Sequence, residues 1–268
     1  MNLKILTATK SEKGARKMPA QFDEPVRPDL IHRAVESQES HERQRYGADP
    51  MAGQRTSPKL SRRRRDYKGS YGHGISRVPR KILSRNGTQM NWVGAFAPGM
   101  VGGRQAHPAK SESKLYKMIN VKERRKAIRS ALAATVDKNV VTQRGHKIPA
   151  SYPFILDSAM ESIAKTADAI KALETLDIGA DLERAAVKKI RAGKGKNRGR
   201  PYATRKGPLI VVSKNCPLQK AASNIPGVDV VEVSRLSAKA LAPGSHPGRL
   251  TLYTDAAVER LDKEGLFQ

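Results

Sequence analysis

The sequence is short of acidic residues. Its 268 residues carry 25 Asp+Glu against 51 Lys+Arg, a formal net charge of +26. Such an excess repels itself in a compact monomer and draws in polyanions. Cysteine is nearly absent: Cys216 stands alone, which excludes a disulfide framework and fits a reducing compartment. Aromatic residues make up 4% of the chain and apolar residues 38%, below the roughly 45–50% of ordinary globular domains. A modest core is expected, with part of the chain outside it. No run approaches the roughly 20 apolar residues of a membrane span, and the opening MNLKILTATKSEKG has too short an apolar stretch for a secretory signal. These absences lead to the expectation of a soluble cytoplasmic protein with no membrane partner.

The positive charge that is present is concentrated. Residues 46–117 hold 15 Lys/Arg and 3 acidic residues, and residues 184–206 hold 10 Lys/Arg and none. The remainder reads as an ordinary, slightly basic globular protein with two basic insertions. KILTA (4–8) predicts a strand, and 26–45 a helix with Leu30, Ile31, Ala34 and Val35 on one face and a polar second half that leaves the body. Asn120, three residues before Glu123, predicts a capping box, followed by Val121, Ile128, Leu132 and Val136 at helical spacing. YPFILD, PLIVVS, VDVVEV and RLTLYT read as buried strands. Between the first two, one helix is predicted from Ser158 to Leu176, facing inward with Met160, Ile163, Ala167, Ile170 and Leu173, then a second over DLERAAVKKI. Asp255 is the expected cap of a last helix through Val258 and Leu261. Strands alternating with helices predict an α/β layered domain with a mostly parallel sheet. Its body is 1–45 and 118–268, interrupted by a long basic internal loop, 46–117.

That loop has many glycines and prolines and no sustained period. It contains SRRRRDYKGSYGHG (61–74) and, with Tyr46, Tyr67, Tyr71, Trp92, Phe96 and Tyr116, half of the aromatic residues. Arginine makes bidentate phosphate contacts and aromatic rings stack on splayed bases, so the composition suits a segment threaded through folded RNA. AGKGKNRGR (192–200) is not a phosphate loop: its lysines precede Gly195 and Asn197 rather than Ser or Thr, and it ends a predicted helix rather than opening one. It fails the dinucleotide fingerprint because Gly199 comes one place late. A flexible basic hairpin on phosphates is the better reading. His32 and His41 fall on a polar helix face, and His73, His107, His146 and His246 neighbour Gly or Pro as turn residues or RNA contacts. No set has metal spacing, Cys216 lacks a nucleophile's surroundings, and no cofactor site is expected.

Seven stretches carry a resemblance. FDEPVRPDLIHRAV, QRYGADPMAGQRTS, GGRQAHP, NVKERRKAIRSALAAT, RGHKIP, AGKGKNRGRPY and LAPGSHPGRLTLYT together, in collinear order over nearly the whole chain, resemble large-subunit ribosomal protein four of the archaeal/eukaryotic type. The end at Gln268, without a long basic tail, favours the archaeal form. The resemblance implies an α/β body on the outer surface of the large ribosomal subunit and an internal loop that helps line the nascent-peptide exit tunnel. The family's Ser-Trp-Gly-x-Gly-Arg and x-Pro-Arg stretches fall here on Ser70, Tyr71, Gly72, His73 and Gly74, then Val78, Pro79 and Arg80. Tyr71 stands where Trp is usual and Ile75 where Arg is usual.

The expected function is therefore a non-enzymatic structural constituent of the large ribosomal subunit, partnered by rRNA, neighbouring ribosomal proteins and the nascent peptide. On the loop, the rRNA-binding candidates are Arg55, Arg62, Arg63, Arg64, Arg65 and Lys68. They continue with Arg77, Arg80, Lys81 and Arg85, then Trp92 as a stacking ring and Arg104. On the hairpin they are Lys194, Lys196, Arg198, Arg200 and Arg205. Tyr71, Gly72, His73, Gly74, Val78 and Arg80 form the expected tunnel-lining tip. An RNA-modifying enzyme would need a glycine fingerprint and a catalytic group, and a sequence-specific DNA-binding protein a recognition helix. Neither signal is evident.

Overall fold

In the run Leu209–Val212 all four side chains are buried, yet successive strand residues point to opposite faces. Leu209 and Val211 therefore join one apolar layer, and Ile210 and Val212 the other. A sheet covered on both sides has continuous apolar strands. The computed structural model, which describes residues 1–268, resolves this sheet and its covering helices. The chain divides into two compact units, Met1–Glu42 with Tyr116–Gln268, and Arg43–Leu115.

In chain order, β1 (Asn2–Leu6) and β2 (Glu12–Lys17) make a hairpin, followed by α1 (Pro28–Glu42). The second unit contributes β3 (Arg80–Asn86) and β4 (Gln89–Gly94). The first unit resumes with α2 (Val121–Val136), α3 (Lys138–Gln143), β5 (Ile155–Leu156), α4 (Thr166–Thr175) and α5 (Gly179–Ala186). Next come β6 (Lys188–Ile190), β7 (Tyr202–Thr204), β8 (Leu209–Val212) and α6 (Pro217–Ala222). The chain closes with β9 (Asp229–Glu232), α7 (Ala238–Leu241), β10 (Thr251–Thr254) and α8 (Asp255–Lys263).

The main sheet has the order β2-β1-β5-β10-β8-β9. All its pairs are parallel except β1 with β2. Leu30, Ile31 and Val35 of α1, Ile128 and Leu132 of α2, and Val258 and Leu261 of α8 pack on the face carrying Leu209, Val211 and Tyr253. Leu173 of α4 and Leu218 of α6 cover the face carrying Leu156, Ile210 and Leu252. This is the layered, mostly parallel α/β architecture that the strand–helix alternation predicts.

Several local expectations are corrected. The polar half of α1 stays on the body: Ser37 is buried and donates to the Lys117 carbonyl at 2.8 Å, and Glu42 pairs with Lys239. Asn120 precedes α2 without a side-chain cap, Glu123 pairs with Arg33 at 2.7 Å rather than reaching back to the Asn120 N–H, and Val121 is exposed. The predicted 158–176 helix is broken. A 3-10 turn at Ser158–Ser162 precedes α4, so Ala169, Ala172 and Leu173 face inward while Ala167 is exposed. DLERAAVKKI changes state midway, from α5 into β6. Asp255 is not the cap of α8; the Thr254 hydroxyl accepts from the Ala257 N–H at 3.3 Å, and Asp255 pairs with Arg16.

The second unit is held by an antiparallel ribbon, β3 with β4, absent from the sequence expectation of an unpatterned loop. On β4, Met90, Trp92 and Gly94 are half-buried and alternate with exposed residues. That alternation is hard to read when the inward positions are a thioether, an indole and a glycine. The unit's two chain ends run side by side, with the Ala48 N–H donating to the Ala109 carbonyl at 2.8 Å. A Cβ on Gly53 would collide with the Gly103 backbone, so the glycines let main chain pack on main chain.

Candidate nucleic-acid interface

The acid-free segment 184–206 forms a short antiparallel ribbon, β6 with β7, closed by the loop 191–201. The basic loop thus opens from a strand and not from a helix end. All eight cations from Lys188 to Arg205 are exposed, and none is engaged in an ion pair. Lys194, Lys196, Arg198 and Arg200 fall on the turn, and Arg205 directly follows β7. Ile190 pairs across the ribbon with Tyr202, and both are exposed. Tyr202 was not among the sequence candidates. Its signal was an aromatic ring inside an acid-free basic run.

The ribbon's base is anchored in the body. Arg249 is 1% exposed and donates to the carbonyls of Gly207, Ala240 and Gly227 at 2.9, 3.0 and 3.3 Å, and to the Asp229 carboxylate at 2.6 Å. Lys206 also reaches Asp229 at 2.9 Å. Gly207 N–H donates to the Gly227 carbonyl at 2.8 Å. At Gly227 (φ +79°) a Cβ would lie 2.7 Å from the Ala185 Cβ, so only glycine fits this approach.

On the other side of the base, Asp181 is wholly buried. It accepts from the Lys147 N–H at 2.9 Å and from Arg184 at 2.8 and 3.1 Å, and lies 3.1 Å from His146 Nδ1. Burial alone would raise its carboxyl pKa, but these donors outweigh that and hold it down to about 2. Burial pushes the His146 pKa below its ordinary value despite the adjacent carboxylate, and its Nδ1 sits between Asp181 at 3.1 Å and Arg184 at 3.0 Å. His146 is therefore part of the body's framework, not the turn residue or RNA contact expected from its neighbouring glycine.

In the second unit Arg62, Arg63, Arg64 and Arg65 are exposed and free of ion pairs, and Lys68 is half-buried. Arg55 pairs with Asp49. Gly72 and Gly74 have positive φ with open space around them, and His73 between them is exposed. Tyr71 and Val78 are half-buried, as are Lys81 and Arg104. Tyr71, Tyr67 and Trp92 each carry an arginine over one face. Arg77 lies over Tyr71 at 4.8 Å, Arg85 over Tyr67 at 5.4 Å and Arg80 over Trp92 at 5.3 Å. Arg80 differs from the other cations: it is buried, bonds Ser76 Oγ at 3.1 Å, and exchanges backbone bonds with Lys59.

Open parallel sheets take ligands at the carboxyl ends of their strands. Here the ends of two central strands, β8 and β10, are tied together by a buried carboxylate. Glu161 is buried and accepts from Thr254 Oγ1 at 2.6 Å, Ser213 N–H at 2.8 Å and Ser213 Oγ at 2.7 Å, joining the ends of β8 and β10. Cys216 is buried at the start of α6, and burial raises its thiol pKa, the reverse of an activated nucleophile.

The family model of the ribosomal protein L4/L1 family matches residues 17–264. The chain belongs to that family. Among its relatives is the large ribosomal subunit protein uL4 of Nanoarchaeum equitans, 46% identical over 268 residues and covering 100% of both chains. The protein of the same name from Methanococcoides burtonii is 43% identical, covering 98% of each, and that from Archaeoglobus fulgidus is 42% identical, covering 97% of this chain and 98% of its own. As a member of the L4/L1 family, of archaeal type, the chain is a structural constituent of the large ribosomal subunit and not an enzyme.

Proposed function

We propose that the protein binds large-subunit rRNA through both basic regions, supports assembly of the subunit in the cytoplasm, and helps line the nascent-peptide exit tunnel. The observation that carries this reading is the set of eight exposed, unpaired cations on the β6–β7 ribbon. A row of charges without intramolecular partners calls for a polyanion. The body docks through that ribbon, and 46–117 acts as the rRNA-penetrating loop of a single domain. Arg62–Arg65 contact phosphates. Tyr71, Gly72, His73, Gly74 and Val78 face the nascent peptide, and the exposed His73 between two unobstructed glycines supports that placement. Arg80 serves the loop from within, holding Trp92, the Ser76 hydroxyl and the Val78 carbonyl. Neighbouring ribosomal proteins are the remaining partners.

Two experiments test this. Hydroxyl-radical footprinting of large-subunit rRNA with the full chain should show protections that the ribbon variant Lys194/Lys196/Arg198/Arg200→Ala loses. A photoreactive group at position 73 should capture the nascent chain on stalled ribosomes. Capture of rRNA alone would remove the tunnel role.

A further inference from the structure

A cleft of about 700 Å³ opens at the foot of the β6–β7 ribbon. Its wall carries Arg144, Arg184, Arg205, Lys206 and His246, together with Gln143. No carboxylate lines it. The two that touch its cations are already engaged: Asp181 by His146, the Lys147 N–H and Arg184, and Asp229 by Arg249 and Lys206.

Arg144 is the informative member. Its guanidinium is half-buried and donates only to the carbonyls of Pro243 at 2.6 Å and Pro247 at 3.4 Å. No acidic side chain pairs with it. Burial, then the nearby charges of Arg249 and Arg184, push its pKa down to about 10. A guanidinium partly withdrawn from water is ordinarily paired, because a desolvated charge without a counter-ion is costly. Here the counter-ion is not supplied by the chain, and Arg205 at the cleft mouth is likewise unpaired.

We infer that this cleft is a preformed seat for one phosphodiester of an RNA strand, with Arg144 at its back and Arg205 and His246 at its mouth. A guanidinium fork matches two phosphate oxygens. The ligand is a nucleic-acid strand and not an isolated anion because the row of unpaired cations continues from Arg205 along the ribbon. A seated phosphate would fix the register of the strand on that row. The inference rests on the rRNA-binding reading and adds a site formed largely by residues outside the basic segments.

The test uses the full chain and in vitro transcribed large-subunit rRNA, with binding measured over a salt series. Arg205→Ala and Arg144→Gln should each weaken binding about tenfold at low salt and make the slope of log affinity against log salt shallower by about 0.7–0.9. Arg205→Lys should restore the slope. Because Arg144 braces two carbonyls, Arg144→Gln is interpreted only with an unchanged melting temperature; exposed Arg205 keeps the test decisive if that variant fails to fold. The ribbon variant Lys194/Lys196/Arg198/Arg200→Ala separates the two readings. If it loses affinity while the cleft variants bind as wild type with the wild-type slope, the seat is overturned and rRNA binding stands. If wild type itself shows no salt-dependent rRNA binding, both fall. Cleft variants that bind RNA normally but fail in assembly would assign the cleft to an acidic segment of a neighbouring protein, again overturning the seat.

Discussion

The Arg249 guanidinium and the Asp229 carboxylate meet at 2.6 Å, with the arginine almost wholly removed from water. Three carbonyls complete its shell, drawing 207, 227 and 240 together beneath the basic ribbon. Removing one partner of a buried charge pair typically costs about 3–5 kcal/mol. Arg249→Met should therefore lower the unfolding free energy extrapolated from urea denaturation by an amount in that range. Asp229→Asn, at a more exposed carboxylate that keeps an acceptor oxygen, should cost less. Equal losses would show that the carbonyl contacts contribute little.

Gly227 makes a second, steric prediction about the same base. Its positive φ and the 2.7 Å approach to Ala185 make Gly227→Ala destabilising by about 1–3 kcal/mol. Unchanged thermal stability would mean that α5 and the 227 turn separate without cost.

Asp181 sets an acid-side dependence. Its folded carboxyl sits at about 2, against roughly 3.9 in an unfolded chain. Because the folded value is depressed, this stabilisation is fully present above about pH 4 and is lost as pH falls towards 2. Asp181→Asn should remove a contribution on the order of 2 kcal/mol at neutral pH and flatten the stability profile between pH 4 and 2. An unchanged acid limb would assign the dependence to other carboxylates.

Arg62–Arg65 are exposed and make no ion pair. Replacing all four by alanine should leave the melting temperature of the full chain within a degree or two, since surface changes of this kind alter stability by about 0.5 kcal/mol or less. The same variant should accumulate incomplete large subunits on sucrose gradients. A large drop in melting temperature would make the run structural.

The architecture was legible where one physical signal dominated. Leu209–Val212 and Thr251–Thr254 declare themselves as apolar runs because both sheet faces are covered. Leu30, Ile31, Ala34 and Val35 lie on the predicted face of α1. Legibility failed where tertiary partners override local preference. Glu123 leaves the capping box for Arg33, and Thr254 caps the helix assigned to Asp255. The β2 edge strand, EKGARK, is almost wholly exposed and carries no apolar pattern to read. The site divides in the same way. Exposed cations are visible as composition, and the glycine-rich basic run predicts the hairpin that β6 and β7 form. Arg249, Asp181, Asp229 and Arg144 come together only through the fold, from residues scattered between 144 and 249.

The most direct test of the central claim is UV cross-linking in native extract, with sequencing of the attached RNA and mapping of the linked peptides. Large-subunit rRNA joined to peptides from both 46–117 and 184–206 is the predicted result. Cross-links confined to messenger RNA, transfer RNA or DNA, or absent from both basic regions, would contradict it.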